Sequence, residues 1–184
     1  MPSFHPGFAP LRSIALQALL GLGCWLAAGA AQAQSPAHEE VARLLRAGLA
    51  GEAQQKAEAG LATRPNDAQL RFLKGVAQSQ GGQPEAARAT FSALTQEFPE
   101  LPEPYNNLAV LEAAAGRLDA ARAALETALR LNPGYATAQQ NLGDVYARLA
   151  GRAWARALEL DPANPALPPR LQIIQQLPAT QATP

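Results

Sequence analysis

From residue 36 onward, apolar and polar positions alternate with a helical step, in short segments separated by glycine or proline. Across 118–131, Leu118, Ala121, Leu125, Ala128, Leu129 and Leu131 fall mostly three or four residues apart, which gathers them along one side of a helix. The same pattern predicts helices over 36–47, 50–62, 67–80, 84–97, 102–115 and 118–131. Ser35 is placed as the N-cap of the first, with Pro36 at its first helical position, and Asn66 as the cap of the third. Gly82 and Gly116 suit the left-handed turn that ends the first helix of a pair. Pro99 and Pro133 cannot continue a helix, so they stop the second. The segment from Phe98 to Pro104 reads as a stiff connector.

The punctuation is periodic. Pro65, Pro99 and Pro133 stand 34 residues apart, and so do Gly48, Gly82 and Gly116, and Ala53, Ala87 and Ala121. Helix pairs of this kind cannot bury their apolar stripes alone, so neighbours must stack into one continuous core. The pattern resembles the tetratricopeptide repeat (TPR) family. The match is best over 102–135, where Tyr105, Leu108, Ala109, Ala121, Leu125, Ala128 and Pro133 fill the family's slots and Glu112 replaces an aromatic. Residues 68–101 supply Gly75, Gly82, Ala87, Phe91, Leu94 and Pro99, with Arg71 and Lys74 where large apolar residues are usual. The resemblance covers roughly 35–162 and divides it into 34–67, 68–101, 102–135 and a shortened 136–162. It implies an all-α, right-handed solenoid of helix–turn–helix repeats.

The fourth repeat departs from the rule. Between Tyr146 and the Asp161-Pro162 ending it is five residues short, and what is missing is the turn. Helix-forming residues remain, so the expectation is one fused helix over 136–160, with a stripe of Leu142, Val145, Tyr146, Leu149, Ala153, Ala157 and Leu160. The rival is a tight turn at Ala150-Gly151 followed by a stub. Residues 163–184 are rich in proline; Leu171, Ile173, Ile174 and Leu177 predict a short covering helix over 170–177, and 178–184 reads as a disordered tail.

Composition changes the picture at the N-terminus. Arg12 precedes an apolar run from Ile14 to Ala31, and Ala31-Gln32-Ala33 has the small-x-small pattern of a signal-peptidase site. The expectation is a signal peptide over 1–33, cleavage after Ala33 and a periplasmic mature chain; an uncleaved inner-membrane anchor and a lipoprotein at Cys24 are the rivals. After cleavage no cysteine remains, and 14 basic residues face 15 acidic ones. Nothing in that balance offers the basic stripe nucleic acid requires or a polybasic membrane-binding helix.

No catalytic constellation emerges. His38 is the one histidine of the expected mature chain and reads as a solvated surface residue. Glu39 and Glu40 suit a helix N-terminus. No metal, cofactor or enzyme activity is expected. The family resemblance instead implies a concave groove lined by the first helix of each pair. Carried over, its apolar part is Leu45, Phe72, Val76 and Val110, and its polar end Asn106, Gln140, Asp144 and Arg148. Asn107 and Asn141 match a family asparagine that holds a ligand's backbone; the alternative is a hydrogen bond that fixes the helix pair. Phe72 has the same ambiguity between groove and core. The reading is a non-catalytic adaptor or scaffold that binds a protein or extended peptide, similar to small exported TPR proteins of proteobacteria. The other classes are a homodimerising spacer, through Trp154 and Leu158, and a membrane-tethered assembly factor.

Overall fold

The structure is a computed structural model and describes residues 36–176. The expected signal segment, the Ser35 cap and the tail beyond residue 177 lie outside the described residues. Those described form eight helices and no strand: α1 (Pro36–Arg46), α2 (Ala50–Thr63), α3 (Ala68–Gln80), α4 (Pro84–Glu97), α5 (Pro102–Ala114), α6 (Leu118–Leu131), α7 (Ala136–Leu160) and α8 (Leu167–Gln175). Each helix packs on the next, and α1 also touches α3 as α5 touches α7. This is the stacking of helix pairs that the period requires.

Three turns are built alike. Gly48, Gly82 and Gly116 have φ of 73°, 71° and 76°, the left-handed region. Around Gly48, the Leu49 N–H donates to the Leu44 carbonyl at 3.0 Å and the Gly48 N–H to that of Leu45, also at 3.0 Å. That pair of bonds is the Schellman stop for a helix. Gln83 to Gln78 and Arg117 to Glu112 repeat the longer bond at 2.8 and 2.9 Å.

One period further on stands Ala150, and there the chain stays helical. Without a residue that enters the left-handed region at no steric cost, nothing halts the helix. The 25 residues of α7 therefore run unbroken, and the rival turn at Ala150-Gly151 does not form. Gly151 lies inside the helix, where a Cβ would come within 2.9 Å of Ile174 from α8. The cover helix starts earlier than the apolar pattern suggested, at Leu167, with Pro168 and Pro169 in its first turn.

Two further expectations are corrected. The cap of α3 is Asp67, whose carboxylate accepts from the Leu70 N–H at 3.0 Å, and Asn66 stays outside the helix. The proline-rich connector, read as Phe98 to Pro104, ends at Leu101, because α5 begins at Pro102 as its predicted limits have it, where a missing N–H costs nothing.

The core falls into two clusters. The first joins Val41, Leu44, Leu45, Leu70, Phe72, Leu73, Val76, Phe91 and Leu94 with buried alanines of α2, α3 and α4. The second is built mainly from Ala109, Ala113, Ala121, Ala128 and Ala138, with Leu118, Leu125, Leu142 and Val145. Leu108 and Leu111 of α5 lean on the first cluster and join the halves.

Candidate functional site

The apolar groove expected on the first helices is largely core. Leu45, Phe72 and Val76 are 5%, 7% and 2% exposed and belong to the first cluster. The cause is local: α3 has α1, α2 and α4 against it, so an apolar arc wider than Leu70 and Leu73 is needed to fill its surroundings. Gly75 lets Phe91 press against α3, and Phe72 follows, its ring centroid 5.7 Å from that of Phe91. Only Val110 of the apolar set is half-buried.

The polar end is different. Asn106 and Asn141 are both fully buried, and the Asn141 amide donates to Asn106 Oδ1 at 2.9 Å, tying α7 to α5. Asn107 shares its repeat position with Asn141 but donates to the Glu103 carbonyl of its own helix at 3.0 Å. Beside this bridge Gln140 is exposed, while Asp144 and Arg148 are half-buried. Asp144 Oδ2 is shut off from solvent and receives no hydrogen bond from a described residue. Arg148, one helical turn on, makes no ion pair with a described residue. A donor-seeking oxygen and an acceptor-seeking guanidinium thus sit together at the α5–α7 end.

Several other polar groups are committed to one another. His38, expected in solvent, is only 15% exposed at its side chain and bonds to the Asp67 carboxylate at 2.9 and 3.0 Å, joining α1 to the start of α3. Burial pushes the Asp67 carboxyl up, but the Leu70 N–H, the His38 ring and the nearby Arg64 together hold it below its ordinary value. No spacing rule signals this pair, since 29 residues separate its members. The slot of the missing aromatic, Glu112, is buried and ion-paired to Arg117, with Arg88 at 4.0 Å. Gln78, its counterpart one repeat earlier, is buried too and accepts from the Thr90 hydroxyl at 2.7 Å.

Arg71 and Lys74 line an open cleft of about 520 Å³ between α2, α3 and α4. Arg71 holds Glu97 through bonds of 2.5 and 2.6 Å, and Lys74 pairs with Glu58 at 3.3 Å, so its charges are balanced. Each partner moves with the other: Glu97 lies below its usual carboxyl range because Arg71 donates to it. Among the described residues no cluster of three or more His, Cys, Asp or Glu could hold a metal ion, and no helix is long and apolar enough to cross a membrane.

Trp154 and Leu158 are half-buried on the second half of α7, with the Arg170 guanidinium of α8 stacked 5.6 Å from the indole centroid. Two models, described as TPR repeat and tetratricopeptide repeat, match residues 111–149 and 38–102, together more than half the chain. These repeats are tetratricopeptide repeats. Over 76 residues the chain is 40% identical to a TPR domain-containing protein, PYG7, of Arabidopsis thaliana chloroplasts. That match covers 39% of this chain and 25% of the relative, so the chain spans about a quarter of that protein. Two solved structures share the fold. MamA aligns with a TM-score of 0.54 at 20% identity, covering 74% of this chain and 82% of that one. Naa15/Naa10 bound to HypK-THB gives 0.55 at 17% identity, covering 77% and 22%. TPR repeats are in general non-catalytic scaffolds.

Proposed function

We propose that the chain is an exported, non-catalytic TPR adaptor of the periplasm. It takes hold of a protein or extended peptide segment at the α5–α7 end of its first-helix face. The observation that carries this reading is the solvent-excluded, donor-less Oδ2 of Asp144 beside Arg148. An unsatisfied buried acceptor costs roughly 1–3 kcal/mol, which a bound donor recovers once the carboxylate turns outward to meet it. A segment's backbone N–H supplies that donor, its carbonyl or a side-chain carboxylate answers Arg148, and Val110 offers the apolar contact. Asn106 and Asn141 hold the two helices at fixed spacing, and Gln140 extends the polar rim. A TPR neighbour solved with bound protein partners supports the class of ligand. The apolar run and small-x-small pattern before Gln34 support export.

The test is photo-crosslinking from position 140 in the native envelope, compared between the parent chain and Asp144→Ala or Arg148→Glu. One dominant adduct that both variants lose supports the adaptor. An adduct pattern indifferent to both substitutions overturns it. The mass of the mature N-terminus separately decides between export with cleavage after Ala33 and a retained anchor.

A further inference from the structure

The fused helix keeps both halves of a repeat that never closes. Ten residues after the preceding proline stand Gly75 in the second repeat and Gly143 in the fourth. Eight residues before the closing proline stand Phe91 and Trp154, and twelve before it Ala87 and Ala150. In the second repeat these positions meet. Phe91 is fully buried on α3, and a Cβ added at Gly75 would stand 2.7 Å from its ring. In the fourth they are apart, because α7 does not turn. Among the described residues, no atom beyond the helix's own backbone lies within 4 Å of where a Cβ at Gly143 would be. Trp154 is left to Arg170, Tyr146 is 48% exposed and Leu160 71%.

Gly143, Ala147, Ala150 and Trp154 follow one another at steps of four, three and four, so they share one face of α7. These four residues are uncharged, with the Arg170 guanidinium of α8 over Trp154, and the centre of the face is small enough for another helix to approach closely. We propose that a second copy of this chain covers it. Two α7 helices cross antiparallel about the point between Arg148 and Leu149. Trp154 of each copy then lies on Gly143 of the other, and Ala147 meets Ala150. Each copy completes the other's fourth repeat, an exchange of second helices made obligatory by loss of the turn. α8 stays on its own α7, as α5 stays on α4.

The exported mature chain should sediment at twice its mass. Replacing residues 147–149 by a copy of residues 113–120 restores the five missing residues and the glycine turn; it should halve the mass while leaving the chain helical. In a Cys24→Ser background, chains carrying Gly143→Cys and chains carrying Trp154→Cys, refolded together, should form a mixed disulfide. Neither should form one alone, since like positions would lie about 16 Å apart along the axis at 1.5 Å per residue, beyond disulfide reach. Should Trp154→Cys or the graft fail to fold, Ala147→Cys with Ala150→Cys tests the same crossing and keeps the indole. A single-chain mass for the parent overturns the proposal. So does a dimer that persists in the folded graft, or one whose cysteines do not pair across these positions.

Discussion

The second and fourth repeats carry the same pair of contact residues, a glycine on the first helix and an aromatic on the second, yet only one of them uses the pair. Around Gly75 the turn at Gly82 brings α4 back, and Phe91 disappears into the core. Around Gly143 the chain runs straight on, and no other described element stands against the glycine. A repeat pattern therefore specifies contact surfaces separately from the turn that makes them meet. The turn depends on one left-handed residue; the surfaces depend on many positions and outlast it.

Substitutions at matched positions break the comparison most cleanly. Phe91→Ala should have the largest effect, a loss of about 3–5 kcal/mol in denaturant unfolding, because the ring is fully buried and its removal leaves a cavity. Gly75→Ala should cost less, about 1–3 kcal/mol, since the new methyl must displace that ring. The starts of the two repeats differ as well: Asp67 caps α3, whereas α7 has no side-chain cap. Asp67→Ala should lose about 0.5–2 kcal/mol. Its pH dependence has a definite sign. The folded carboxyl lies below its ordinary value, so its contribution is complete above about pH 4 and is lost as pH falls through the folded value. Melting curves between neutral and strongly acidic pH should therefore converge for the parent and Asp67→Ala. The smallest effect is expected at Gly143→Ala. In the isolated chain it should stabilise α7 by up to about 1 kcal/mol through helix propensity. If two copies pair through this face, the same methyl weakens association, so unfolding read at low and high protein concentration should move in opposite directions.

How much of this was legible without coordinates follows from range. The limits of α4, α6 and α7 could be read because proline, glycine and their spacing act within a few residues. The fused helix was legible for the same reason, as a missing turn. The groove was not. Whether Phe72 and Val76 face a partner or the core depends on how many helices surround α3, and no local pattern carries that number. Asn107 and Asn141 make the point within one repeat position: identical spacing, but one amide folds onto its own helix and the other reaches across to Asn106. His38 falls in the same gap, because its partner Asp67 lies on another helix pair.

At 1.5 Å per residue the 25 residues of α7 make a rod of about 37 Å, against about 20 Å for its 13- and 14-residue neighbours. A helical hairpin can flex at its turn, but a single continuous helix has no joint. One end of this rod is clamped by Asn141 to α5, and the other carries α8. The molecule thus contains a lever whose two ends share one orientation, fixed by a single run of helix.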